Sequence, residues 1–313
     1  MCSICIVTAQ HIEKCCGRCQ ECDQRSVVNV MSLVERMITK FGASCAYGLG
    51  VLYLFNIIVV GDTQLLINVK NQGGDVLQET ISANVSEDIV ILEFQRSDGT
   101  LVTQLVDFRN DVQVLKALVL GEEERGQSQY QVMCFVRHFH KGDFISADAM
   151  AKLRQKNPGT VRTPEEDRGR ENFTMDLIVD VNKSGAISHH IAAMCGEASD
   201  ATYTREQDLQ LWAARPGASL SALLASVSRS PPDGGSQAGP VPRCLETADP
   251  WHACTCNLEL CVGWYPCGLK YCKGKDRAAA LPGGGYRCGI KTCRKCSLLS
   301  YYVRHKQLCL WDE

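Results

Sequence analysis

Leu65-Leu66-Ile67-Asn68-Val69 and Val76-Leu77-Gln78-Glu79-Thr80-Ile81, joined through Gln72-Gly73-Gly74-Asp75, decide how this chain folds. Both runs read as strands, and the glycines between them can take the positive φ of a tight turn, which makes a β-hairpin. A second hairpin follows directly: Ile89 to Gln95 and Leu101 to Val106 flank the Asp-Gly turn of Ser97-Asp98-Gly99-Thr100. Four antiparallel strands are therefore expected over residues 64–107. Working outward, Val112 to Leu120 suits a strand or a helix, whereas Gln131 to Phe139 and Phe173 to Val181 alternate as strands. Arg162 to Glu171 reads as a variable loop. Ser146 is a suitable N-cap for a helix through Ala149, Met150 and Leu153, ending at Asn157-Pro158. A second helix places Ile187, His190, Ile191, Met194, Cys195 and Ala198 on one face. The class is α+β.

The 313 residues suit two modules plus targeting sequence, and 45% hydrophobic residues with a net charge of -2 give no reason to expect nucleic acid as a partner. The 19 cysteines fall into three groups: seven up to Cys45, then Cys134 and Cys195, then ten from Cys244 to Cys309. So dense a final block needs disulfides to supplement a small core, which points to an oxidising, extracellular setting. The ten can form five bridges, with a connectivity that spacing does not reveal. Cys293-Arg294-Lys295-Cys296, with His252 and His305, is the zinc alternative, but no second clean ligand pair accompanies it. Cys134 and Cys195 would close a loop of about sixty residues, worth roughly 4 kcal/mol by chain entropy; two buried thiols are the alternative.

Phe41 to Val60 carries no charge and is strongly apolar, with Arg36 and Lys40 before it and Asp62 after it. That asymmetry exports the C-terminal side. Met37 to Gly61 is read as a signal peptide cleaved after Gly61, with a type II anchor as the alternative; only through residues 41–60, uncleaved, would the chain meet a membrane. Residues 1–36 read as an atypical extension. Cys15, Cys16, Cys19 and Cys22 have zinc-like spacing but too short a loop between pairs. Asn84, Asn172 and Asn182 head glycosylation sequons. From residue 213 to 243 the chain is rich in Ser, Ala, Gly and Pro and reads as a flexible linker holding a short helical run, Ser219 to Val227. Lys270, Lys273, Lys275 and Arg277 make the final segment basic, a place for a sulfated glycan or an acidic partner.

No nucleophile elbow, phosphate-binding glycine loop or His-Glu-x-x-His helix is present, so no enzyme is expected and no cofactor or metal is assigned. The histidine pairs His138/His140 and His189/His190 lack a carboxylate at ligand spacing.

Several stretches match a known family. Asp107-Phe108-Arg109, Ala149 to Pro158, Trp264-Tyr265-Pro266-Cys267, Leu269-Lys270-Tyr271-Cys272, Cys288-Gly289-Ile290 and Gln307 to Glu313 resemble the Out at first family over residues 64–313. The resemblance implies a BRICHOS-like antiparallel sheet with two flanking helices over residues 62–212, followed by a small disulfide-rich domain over 244–313. It assigns the family aspartate to Asp107 and a disulfide to Cys134 and Cys195-Gly196-Glu197. Cys261 and Cys296 look additional to the family's cysteines, so they are expected to bond to each other. The remaining bridging cysteines are Cys244, Cys254, Cys256, Cys267, Cys272, Cys288, Cys293 and Cys309. The implied function is a secreted, chaperone-like polypeptide binder whose client is unknown. The alternative is an extracellular developmental or signalling factor whose C-terminal module binds a receptor or matrix glycan.

Overall fold

Both hairpins form around the turns that the glycines mark. Strands β1 (Thr63–Lys70), β2 (Val76–Asn84), β3 (Ile89–Gln95) and β4 (Leu101–Asp107) run antiparallel in sequence order. The computed structural model describes residues 63–70, 73–155, 157–231, 241–273 and 285–310. The readings on residues 1–36 and 37–61, and the basic residues Lys275 and Arg277, lie outside them. Val112–Leu120, ambiguous in sequence, is strand β5, because it sits between β4 and β6 (Tyr130–His138) and buries residues on both faces. Short strands β9 (Leu177–Val179), β10 (Thr202–Thr204) and β11 (Val227–Arg229) extend one side, and β7 (Val161–Arg162) the other. The resulting ten-stranded sheet has the order β11-β9-β10-β6-β5-β4-β3-β2-β1-β7.

Ser146 caps helix α1 (Ala147–Ala151) by accepting from the Ala149 N–H. The helix stops earlier than expected: the Lys152 N–H turns back to the Met150 carbonyl, and Gln155 then leaves the helix direction to bond Leu66. The second expected helix is broken into 3₁₀ turns around α2 (His190–Cys195), yet Ile187, His190, Ile191, Cys195 and Ala198 are all buried as its periodicity requires. Two readings need correction. Arg162 to Glu171 is not a loop, since Glu166–Met175 forms strand β8. Residues 166–172 show no apolar alternation because this part of the strand is held by backbone pairing and ion pairs rather than by burial, while Phe173 and Met175 at its end are buried, as the strand expected over Phe173 to Val181 requires. Nor is all of 213–243 a tether. Helix α4 (Leu220–Ala225), which follows α3 (Glu206–Ala213), and strand β11 fix its first half to the sheet, with Leu223 and Ser226 fully buried.

The cysteine-rich segment is one long antiparallel hairpin, β12 (Cys254–Lys273) and β13 (Gly285–Val303), with β8 added parallel along the free side of β13. Alternation divides the large sheet between two cores. On one face Ile81, Leu92, Val102, Leu115 and Phe135 pack with Met150 of α1 and with Leu258, Trp264, Leu299 and Tyr301 of the hairpin. On the other, Val112, Val114 and Val136 pack with Ile191, Trp212 and Leu223 from α2, α3 and α4. The hairpin thus shares its core with the sheet.

Candidate functional site

Six disulfides join the described cysteines. Cys134–Cys195 ties β6 to α2, and Cys244–Cys254, Cys256–Cys309, Cys261–Cys296, Cys267–Cys293 and Cys272–Cys288 fasten the hairpin and its flanks. Cys293 and Cys296 therefore belong to different bridges, and neither offers a thiolate to a metal. Many disulfides suggest an extracellular or secretory-pathway protein. Among the described residues no helix is long and apolar enough to cross a membrane.

Asp107 ends β4 fully buried and collects hydrogen bonds from the N–H groups of Arg109 and Asn110, from Asn110 Nδ2 at 2.7 Å and from Ser188 Oγ at 2.7 Å. Burial pushes its carboxyl up, but the bonds from Ser188 and Asn110 outweigh this and hold it below the usual aspartate range. It thereby links the β4–β5 turn to the segment leading into α2. Asp107→Asn, which turns an amide toward these donors, is expected to lower stability by about 2 kcal/mol. Urea unfolding at neutral pH measures it, and an unchanged midpoint would remove Asp107 from this role.

Asn172 on β8 and Asn182 are exposed, whereas Asn84 is half-buried and its Oδ1 accepts from the Ser86 N–H and hydroxyl. Lys270 pairs with Glu165 at 2.5 Å. It is one rung of a ladder in which β8 and the residue before it neutralise the hairpin: Lys291 meets Glu166, Arg294 meets Asp167 and Lys295 meets Glu171. Lys273 stands at the end of β12.

Two buried ionisable side chains on the hairpin-facing side of the sheet escape a sequence reading based on apolar periodicity. Glu79 of β2 is 1% exposed, and its Oε1 accepts the Gly263 N–H at 3.1 Å, with the Trp264 N–H beside it. Burial pushes this carboxyl up to about 8 against the pull of those two amides. The register of β12 shifts here, between Val262 and Tyr265. Only glycine fits at 263, since a Cβ would stand 2.9 Å from Val69 Cγ1 and 3.2 Å from Glu79 Oε1.

Arg137 of β6 is the second, 4% exposed. It donates to Ser297 Oγ at 3.3 Å and to Gln113 Oε1 at 3.2 Å, while its Nε–H has no acceptor. Its guanidinium lies 4.0 Å from the Phe173 ring centroid, and that of Arg205 lies 4.7 Å from the same centroid. Arg205 is held by Asp208 through two bonds of 2.7 Å. Burial, with Arg205 nearby, lowers the Arg137 pKa to about 10, while Asp208 and Glu171 act in the opposite sense. These residues border a cleft of about 210 Å³ between the sheet and the hairpin, which His138 and His140 also line. The two imidazoles lie 5.1 Å apart, and burial first, then His140, pushes His138 down. His189 and His190, with ring centroids 3.8 Å apart and planes tilted by 40°, lie away from this cleft. The signal that could have found Glu79 and Arg137 is a charge on the inward-facing positions of a strand, as in Met133, Phe135, Arg137 and Phe139.

The chain matches a family model described as Out at first over residues 63–212, and a second, described as Out at first, C-terminal, over residues 243–313. It is 60% identical over 261 residues to the Out at first protein of Drosophila virilis, a match that covers 81% of this chain and 84% of that protein. With the Out at first protein of Drosophila melanogaster it shares 58% identity over 272 residues, 83% of this chain and 55% of the relative, so the match spans about half of that longer protein. No solved structure matches the chain. With residues 63–212 and 243–313 both matched and identity near 60% across most of its length, the chain belongs to the Out at first family.

Proposed function

We propose that the chain is a secreted, non-enzymatic protein that binds extracellular or secretory-pathway polypeptides in extended form, with residues 62–212 acting as a BRICHOS-like, chaperone-like module. The observation that carries this reading is the outer edge of β1. Strand β7 pairs only with Asn68 and Val69, and the Leu66 N–H and C=O are held instead by the side-chain amide of Gln155, which occupies the place of a neighbouring strand. Beside this edge a groove of about 120 Å³ is lined by Leu65, Ile67, Leu153, Trp264 and Ile290. An added strand needs both elements, main-chain bonds for affinity and a pocket for alternate side chains. The BRICHOS-like part of the reading draws support from a sheet with α1 on one face and α2 on the other, and from the bridge between β6 and α2.

The test follows fibril growth of several β-prone peptides by thioflavin fluorescence with substoichiometric full chain. Wild type is expected to slow growth, and Gln155→Ala, which frees the edge, to slow it further. Leu66→Pro, which removes an N–H from the outer edge while leaving the β1–β2 bonds in place, is expected to abolish the effect. Growth unaltered by wild type across the peptides would overturn the reading.

A further inference from the structure

We propose that the cleft between the sheet and the disulfide hairpin binds an organic monocarboxylate with an apolar body, and that Arg137 takes the carboxylate. The starting point is a corner of polar residues on an otherwise apolar sheet face. In the register of the sheet Arg137 stands opposite Gln113, and Gln113 lies next to Val106 of β4 by the pairing of β4 with β5. Gln104, 5% exposed, lines the same cleft. Charged groups are rarely buried without a partner, because desolvation costs several kcal/mol per ion unless an opposite charge or full hydrogen bonding offsets it.

Every other lysine or arginine lining the cleft has its own anion. Arg205 is held by Asp208 at 2.7 Å, and Lys295 by Glu171 at 2.8 Å. Arg137 has two neutral acceptors and an Nε–H left over. Arg137 is therefore the cation of the cleft without a carboxylate of its own, and a ligand carboxylate supplies one.

The walls define the rest of the ligand. Phe94, Phe139, Phe144, Phe173, Val262 and Tyr265 surround the polar corner with aromatic and aliphatic surface, which favours an organic body over a bare inorganic ion. A volume of about 210 Å³ is modestly larger than the roughly 150 Å³ cavity that accepts benzene, which leaves room for one ring or a short alkyl chain with its carboxylate. A doubly charged ligand is disfavoured, because Asp208, Glu171 and Asp143 line the same space and a second negative charge would face them without a cation. Two sources present this chemistry: a free small acid, or the C-terminal residue of a polypeptide carrying an aromatic or aliphatic side chain. The site is separate from the β1 edge and does not depend on it.

The experiment is isothermal titration calorimetry of the full, oxidised chain with 3-phenylpropionate and hexanoate, and with their uncharged amides. A short peptide ending in Phe is tested with a free and with an amidated C-terminus. At least one carboxylate probe is expected to bind roughly tenfold or more tightly than its amide, the discrimination typical of a charge-assisted hydrogen bond in a desolvated site. Arg137→Met, shown to be folded by its near-ultraviolet circular dichroism, is expected to lose that preference. Binding of the small acids alone identifies a free metabolite as the source, and binding of the free-terminus peptide identifies a polypeptide end; either supports the site. Equal binding of acids and amides, no binding by any probe, or an unchanged preference in folded Arg137→Met would overturn it. Should Arg137→Met fail to fold, the acid-to-amide ratio in wild type decides.

Discussion

Raising the pH from 4.5 to 8 is expected to remove about 4 kcal/mol of stability through Glu79 alone, and Glu79→Gln is expected to flatten that slope. The sign follows from proton counts. Burial holds the Glu79 carboxyl protonated in the folded chain up to about 8, whereas the unfolded chain loses that proton near 4.5. Between those values the native state binds one proton more than the unfolded state, so stability is full below 4.5 and falls as pH rises through 8. Above 8 the folded chain holds a buried carboxylate whose Oε1 takes the Gly263 N–H and whose Oε2 has no partner. The strain acts where β12 docks on β2, so the hairpin should loosen from the sheet first. Urea midpoints of wild type and Glu79→Gln at several pH values between 5 and 8 measure this as a difference in slope. Asp107 acts in the opposite sense, since its lowered carboxyl pKa costs stability only as pH falls through the acid range. Parallel slopes for the two proteins would show that Glu79 does not carry the effect.

The second large effect is expected from Cys134→Ala with Cys195→Ala. Both sulfurs are fully buried and close a separation of 61 residues, for which chain entropy gives about 4 kcal/mol. That is a large share of a net stability of order 5–15 kcal/mol. The double variant should unfold at a much lower urea concentration and leave secretory cells in reduced yield. Cys261–Cys296 makes a useful contrast. It spans 35 residues, but Cys256–Cys309 encloses it and Cys267–Cys293 sits within it, so its removal relaxes only short stretches of an already closed hairpin. Replacing that pair should cost clearly less. Equal losses for the two pairs would overturn the ranking.

What the residues reveal in advance is what local chemistry controls. Asp-Gly and Gly-Gly turns located β1 to β4, and Ser146 located the start of α1, because each acts on its immediate neighbours. The first seven residues of strand β8 were hidden because their partners on β13 lie more than 120 residues away and their side chains face water and opposite charges, whereas its buried end, Phe173 to Met175, is the start of the strand read over Phe173 to Val181. Helix α4 was legible as the helical run Ser219 to Val227, but a composition that resembles a linker hid strand β11 and the docking of both elements on the sheet, where Leu223 is fully buried. Glu79 and Arg137 escape a reading of apolar periodicity for a related reason. Periodicity identifies a buried face by its apolar residues, and these two are buried by partners, Gly263 and Ser297, that only the docked hairpin brings into reach.

Strand β8 also has a temporal side. The register that joins Glu166 to Cys293 cannot form until the chain has been synthesised past Cys293, more than 120 residues later, so the strand is complete long before its partner exists. During that interval its edge could recruit another nascent chain. Glu165, Glu166, Asp167 and Glu171 are the side chains that would repel such an encounter, and the same four later meet Lys270, Lys291, Arg294 and Lys295. One set of carboxylates would thus serve twice, repelling the edges of neighbouring unfinished chains and then matching the cations of the correct strand.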